Sequence, residues 1–153
     1  MKILGIDPGF GRVGLGLINR DGQKMEFLDA YTIETHTGLE FYERLLQIEK
    51  ELCAYIDSHK PDLVVMEKLY FQKNVTTALK VSEACGVIGL LVHKKGIELR
   101  QLTPTQMKMA LTGNGKSSKP EVQMMVERIL KNTPCFKKVL DDAIDGLAMA
   151  MAI

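Results

Sequence analysis

Two short apolar runs, each closed by a carboxylate, constrain this chain more than any other feature. They are Lys2-Ile3-Leu4-Gly5-Ile6-Asp7 and Asp62-Leu63-Val64-Val65-Met66-Glu67. The second reads as a short buried strand, of the kind found where helices cover a sheet on both faces. A carboxylate at the tip of such a strand costs desolvation unless a cation pairs with it. The rest of the pattern supplies the sheet and its cover. Strands are expected at 2–7, 12–19 and 24–34, with turns at Pro8-Gly9 and Asp21-Gly22; Arg20-Asp21-Gly22-Gln23 is a strong hairpin signal. Apolar residues at 41, 42, 45, 48, 52, 55 and 56 predict a helix over 39–59, which Pro61 ends before a strand at 62–67. A helix over 76–94, a strand at 97–102, helices over 104–111 and 119–130, and a helix from 141 complete the order. The expected fold class is therefore α/β, with a mixed five-stranded sheet: three antiparallel strands, then parallel ones, with helices on both faces.

At 153 residues the chain suits one domain, 1–153. No apolar run approaches the roughly 18 residues that a membrane helix needs. Cys53, Cys85 and Cys135 are odd in number and form no C-x-x-C pair, so free thiols in a reducing cytoplasm are expected. A net charge of +1 argues weakly against a nucleic-acid partner, but the distribution argues for one. Residues 94–138 hold ten Lys or Arg against three Glu, which leaves the remainder acidic. A basic segment beside an acidic remainder suits a phosphate-binding face next to a carboxylate cluster; a chance asymmetry of solvated helix faces would look the same.

Asp7 and Glu67 close their strands where open α/β sheets bind ligands. Asp142 and Asp145 stand at i and i+3 of the last helix and point to one side. Four such carboxylates make an all-oxygen site that favours Mg²⁺ or Mn²⁺ over zinc. Two ions about 3.5–4 Å apart there can activate water and stabilise a leaving oxygen. The glycines of Gly5-Ile6-Asp7-Pro8-Gly9-Phe10-Gly11-Arg12-Val13-Gly14-Leu15-Gly16 are expected to permit tight turning and to let a phosphate or metal approach the backbone. Each carboxylate also has an innocent explanation. Asp7-Pro8-Gly9 reads as a plain turn, Glu67 as a strand end facing water, and Asp141 and Asp142 as helix-capping acids, Asp141 above all. Their conjunction carries the inference.

Two phosphate motifs fail. Gly113-Asn114-Gly115-Lys116-Ser117 would be a P-loop only with glycine at 110, where Ala110 stands, and it follows a helix instead of a strand. A kinase or actin-type ATPase pairs two lobes, for which 153 residues are too few.

Taken together, the motifs resemble those of the bacterial RuvC resolvases. Gly5-Ile6-Asp7-Pro8-Gly9 with Gly14 and Gly16 is similar to their first motif, and Met66-Glu67-Lys68-Leu69-Tyr70-Phe71-Gln72-Lys73-Asn74 to their second, where an aromatic three residues after the Glu precedes an Asn. Thr103-Pro104-Thr105-Gln106-Met107-Lys108 followed by Gly113-Asn114-Gly115-Lys116-Ser117-Ser118-Lys119 resembles their lysine-bearing segment. Asp141-Asp142-Ala143-Ile144-Asp145-Gly146-Leu147-Ala148 is similar to their closing motif. The order and spacing hold over essentially the whole chain.

The resemblance implies a ribonuclease H-like fold and a structure-selective endonuclease that resolves four-way (Holliday) DNA junctions. It implies Asp7, Glu67, Asp142 and Asp145 as catalytic metal ligands, holding two Mg²⁺ (Mn²⁺ also suits them). It implies Lys119 beside the phosphate chemistry, and Lys108, Lys116, Lys119, Tyr70, Phe71, Lys73 and Asn74 on DNA. A homodimer that nicks two strands symmetrically, working with a branch-migration motor, is implied too. Two departures stand out. Tyr70 replaces the usual Phe, and the sequence stops at Ile153, before the tail that many members carry. A ribonuclease H-like nuclease acting on RNA or an RNA–DNA hybrid, and a catalytically inactive junction-binding module, are the competing functions.

The 76–94 helix adds its own argument for dimerisation. Ala84, Cys85, Val87, Ile88, Leu90, Leu91 and Val92 are apolar around most of its circumference, with Gly86 and Gly89 between them. A helix covering a sheet needs one apolar stripe, so another surface must cover the remainder. A two-fold partner does so, with Ile88 and Leu91 as its expected contacts; another face of the same domain is the alternative.

Overall fold

The computed structural model describes residues 1–69, 75–130 and 141–153. Its elements follow the expected order: β1 (Lys2–Asp7), β2 (Arg12–Asp21), β3 (Lys24–Glu34), α1 (Phe41–His59), β4 (Leu63–Glu67), α2 (Val75–Lys94), β5 (Glu98–Leu102), α3 (Pro104–Thr112), α4 (Lys119–Ile129) and α5 (Asp141–Met151). The strands form one five-stranded sheet in the order β3-β2-β1-β4-β5. β1, β2 and β3 pair antiparallel, whereas β4 lies parallel to both β1 and β5.

Alternation along the strands sorts their side chains between two layers. Leu4, Ile6, Val13, Leu15, Leu17, Val64 and Met66 face α1 and α2, where Ile48, Leu52, Ala84 and Ile88 complete one core. Ile3, Ile18, Leu63 and Val65 face the other way, onto Met107, Val122, Val126, Ile144 and Leu147 of α3, α4 and α5. Helices thus cover both faces of the sheet.

Three details differ from the sequence pattern. The hairpin loop sits one residue later than expected, because Asp21 still pairs with Lys24. That leaves Gly22-Gln23 as the turn, with Gly22 at a φ of 59°, where a side chain would be strained. Tyr42 belongs to the apolar spacing of α1 but is 76% exposed. Ile88 and Leu91, expected to meet a partner, are buried instead. They point at the sheet, and Leu79 and Leu90 face outward in their place.

Candidate active site

β1 and β4 run parallel with Ile6 opposite Met66, so Asp7 and Glu67 leave neighbouring strand tips at the same edge. Neighbouring strands lie about 4.8 Å apart, which sets the spacing of the two backbones. Both residues continue the alternation of Ile3 and Leu63, toward the layer that holds α5.

A notch of glycines decides where α5 lies. A Cβ on Gly5 would strike the Gly146 carbonyl, one on Gly14 the Asp142 carbonyl, and one on Gly16 the Leu147 amide. The helix therefore rests directly on the strand backbones, with Gly146 as its own point of contact. Gly14 is also the register partner of Asp7. The notch thus brings the N-terminal end of α5, with Asp142 in its first turn and Asp145 just beyond, to the tip of β1. The sequence pattern had assigned these glycines to turning and to the approach of a phosphate or metal. Gly9 does serve a turn, since a Cβ there would strike the Arg12 carbonyl. Gly5, Gly14 and Gly16 serve a helix–sheet crossing.

Asp7, the most perturbed of the four, is raised from 3.8 to about 7 by burial, and then by the negative charges of Glu67, Asp145 and Asp142. Burial likewise raises Glu67, with Asp145 adding to it and Lys108 opposing it. Asp145 is raised by burial against the pull of Lys119. Beside them, burial pushes the Cys85 thiol up to about 11, and Glu67 and Asp7 push the same way. A buried group of oxygen donors short of positive charge is what a hard divalent cation satisfies, so the donor set fits Mg²⁺ or Mn²⁺. Among the described residues, no group of three or more His, Cys, Asp or Glu side chains already stands close enough together to hold a metal ion. Two of the four carboxylates engage side-chain cations: Lys119 Nζ donates to Asp145 Oδ2 at 2.7 Å, and Arg12 Nη1 lies 3.8 Å from Asp142 Oδ2.

This electrostatic stress predicts a pH dependence of stability. Unfolded Asp7 titrates near 3.8 and folded Asp7 near 7, so between those values the folded chain binds more protons. Metal-free stability should therefore fall as pH rises from about 4 to about 7, by on the order of 3–4 kcal/mol, and level off above. Thermal melts in a chelator across that range would measure it. Saturating Mg²⁺ should flatten the decline, and a flat metal-free profile would show that Asp7 is not strained.

The lysines come from local structure. Ser118 caps α4, its backbone N–H donating to Glu121 Oε2 at 2.6 Å, which fixes Lys119 as the first helical residue beside Asp145. Thr103 and Gln106 cap α3 reciprocally, at 3.2 and 2.8 Å, and place Lys108 near enough to Glu67 to lower it electrostatically. Lys116 is exposed in the loop between those helices, its amide donating to Asn114 Oδ1 at 3.0 Å. Tyr70, Phe71, Lys73 and Asn74 lie outside the described residues, as does Cys135; Cys53 and Cys85 are free thiols.

Sequence reasoning missed Arg12. It stands opposite Glu34 in the β2–β3 register and reaches Asp142 from the far end of the sequence. A lone Arg after a glycine-rich turn gives no signal of either partner. It also missed the support of the turn that follows Asp7. Thr35 Oγ1 donates to the Phe10 carbonyl at 2.9 Å, Arg44 Nε donates to Thr35 Oγ1 at 2.9 Å, and the Arg44 guanidinium lies 4.1 Å from the Phe10 ring centroid.

Comparison with known proteins gives one consistent answer. The family model described as crossover junction endodeoxyribonuclease RuvC matches residues 3–153. The enzyme of that name from Petrotoga mobilis is 43% identical over 152 residues, covering 98% of this chain and 91% of the relative. Among solved structures, Thermus thermophilus RuvC superposes with a TM-score of 0.87 at 29% identity, over 99% of this chain and 92% of the other. The structure of T. thermophilus RuvC in complex with Holliday junction substrate superposes at 0.90 with 28% identity and the same coverage. The likeness extends along essentially the whole chain. The chain belongs to the RuvC family of crossover junction endodeoxyribonucleases.

Proposed function

We propose that this endodeoxyribonuclease resolves four-way DNA junctions by metal-dependent phosphodiester hydrolysis at the Asp7, Glu67, Asp142 and Asp145 cluster. The observation that carries the reading is the convergence of four carboxylates at one sheet edge, with Asp7 raised to about 7 by burial and by its neighbours. Metal dependence comes with the family; the all-oxygen donor set favours Mg²⁺, with Mn²⁺ its nearest substitute, and four carboxylates are enough for two ions. When bound, such a pair activates water and stabilises the departing oxygen. The chain's own residues do the rest. Asp7 and Glu67 present their oxygens from rigid strand tips, and Asp142 and Asp145 from a helix held on the glycine notch. Lys119, already donating to Asp145, stands where it can meet a phosphate. Lys108 and Lys116 extend the positive face along α3 and its following loop. Tyr70 is assigned to stacking on an unpaired base near the crossover, and Phe71, Lys73 and Asn74 to DNA contact. A labelled synthetic four-way junction, incubated with and without Mg²⁺, tests the reading: paired symmetric nicks only with metal are expected. Preferential cutting of an RNA–DNA hybrid would overturn it.

The same reading includes a homodimer, because symmetric nicks need two sites facing opposite strands. Tyr42 and Leu46 of α1, 76% and 50% exposed, border an apolar groove with Gly86, Val87 and Leu90 of α2. A second copy is the occupant that covers it. Ile88 and Leu91 belong to the core, so an Asp at either would test folding instead of association. Leu90, 56% exposed, is the informative position. The native chain should sediment near twice 17.1 kDa at micromolar concentration. Leu90→Asp should sediment as a folded monomer that nicks single strands without pairing the cuts. A native chain that stays monomeric on a junction yet pairs its cuts would refute the dimer.

No helix among the described residues is long and apolar enough to cross a membrane. Thiols left free at Cys53 and Cys85 support a reducing, cytoplasmic setting. A branch-migration motor is the partner assigned to supply the junction.

A further inference from the structure

Among the described residues, two side-chain cations engage the carboxylates of α5, and only one of them belongs to the lysine segment. Lys119 holds Asp145 at 2.7 Å. Arg12, at the start of β2, approaches Asp142 at 3.8 Å while its Nε lies 3.4 Å from Glu34 Oε1. Arg12 and Glu34 are direct register partners on β2 and β3, so the sheet fixes their pairing independently of Asp142. The Arg12 side chain is 56% exposed and that of Asp142 31%, so both are open to solvent and to a large ligand.

A carboxylate that ligates a metal has less negative charge to offer a guanidinium, so a divalent ion and Arg12 compete for Asp142. Arg12 does not drift away when it loses, because Glu34 still tethers its Nε. Its outer nitrogens are then left without an acceptor at the mouth of the site. A guanidinium fork matches a phosphate as well as a carboxylate.

We infer that Arg12 is an exchangeable counter-ion: it holds Asp142 in the metal-free chain and passes to a DNA phosphate when a divalent cation takes that carboxylate. The inference rests on the proposed metal-dependent junction cleavage and adds a residue from β2, outside the lysine segment. It assigns Arg12 two effects that depend on the state of the site. Without metal it neutralises a carboxylate and adds nothing to DNA binding. With metal it becomes one more phosphate contact.

Two measurements on the full chain test this. In the first, Mn²⁺ binding is followed without DNA, from the signal of the free ion. Arg12→Gln removes the competitor and should lower the half-saturating Mn²⁺ concentration by roughly three- to tenfold at low salt. Arg12→Lys keeps the charge and should stay close to the native value. In the second, junction affinity is measured against salt, with Ca²⁺ in place of Mg²⁺ and again in a chelator. Arg12→Gln should lose about one unit of salt slope with Ca²⁺ and none in the chelator. A native Mn²⁺ affinity in Arg12→Gln, or a weaker one, would overturn the exchange, as would an equal slope loss in both conditions. If the native chain shows no saturable Mn²⁺ binding, the metal reading itself fails and takes the exchange with it. If the native chain binds Mn²⁺ normally and only the Arg12 effects are missing, the metal reading stands and the exchange alone is wrong.

Discussion

An Asp7→Asn chain should bind a four-way junction as tightly as the native protein and cut it at least about a thousandfold more slowly. The rate loss follows from removing one anionic ligand where several kcal/mol of charge stabilisation are delivered, each 1.36 kcal/mol being about tenfold. Binding should survive because neutralising a carboxylate cannot weaken attraction to phosphates. The same substitution should raise metal-free stability near pH 8. Asp7 is raised from 3.8 to about 7 by burial and by Glu67, Asp145 and Asp142, and Asn removes the charge that they oppose. Near pH 4 the two melting temperatures should converge, since both side chains are then neutral in the folded state. Cleavage assays and melts of one preparation give both readings. A mutant that still cuts at near the native rate with Mg²⁺ would remove Asp7 from the site, and one that melts lower at pH 8 would mean that the carboxylate is not under stress.

Gly14→Ala should damage the fold and the site together. The added methyl meets the backbone carbonyl of Asp142, which cannot rotate away as a side chain would. Either the strand bends or the first turn of α5 lifts. Overpacking of this kind costs about 1–3 kcal/mol, and a clash with backbone belongs at or above the upper end. For a domain of this size each kcal/mol is worth about 2–4 °C, so a fall of roughly 6–12 °C in the melting temperature is expected. Because the displaced turn carries Asp142 and leads directly into Asp145, Mn²⁺ affinity should fall as well. Gly38→Ala is the control, since nothing lies within 4 Å of a Cβ there. A Gly14→Ala chain with native stability and native metal affinity would show that the close crossing of α5 over β2 is not needed.

Much of this was legible before any coordinate. The strands and helices followed from apolar spacing, Pro61 and the turn residues. Asp7 and Glu67 were legible because a carboxylate ending an apolar strand is costly without a partner. Asp142 and Asp145 were legible as a pair from their i, i+3 spacing. The roles of Gly5, Gly14 and Gly16 were not. A glycine reports only that something comes close, and in one dimension a phosphate and a helix look alike. Arg12 was hidden for a related reason, because its meaning depends on Glu34 and Asp142, whose proximity is created by strand register and by the seating of α5. The α2 surface was half legible. Its composition announced too much apolar area for one stripe, but only the packing shows that Ile88 faces in and Leu90 faces out.

The glycine notch also sets when the proposed carboxylate site can be complete. β1 and β4 bring two of the acidic side chains to one edge once both strands are in place. The other two arrive only with α5, and the notch that receives it stays an open strip of bare backbone until then. On the proposed reading, a chain without a docked α5 would hold only half of that site. Docking of α5 would close the second core and complete the proposed site in a single event, tying the proposed cleavage to finished folding.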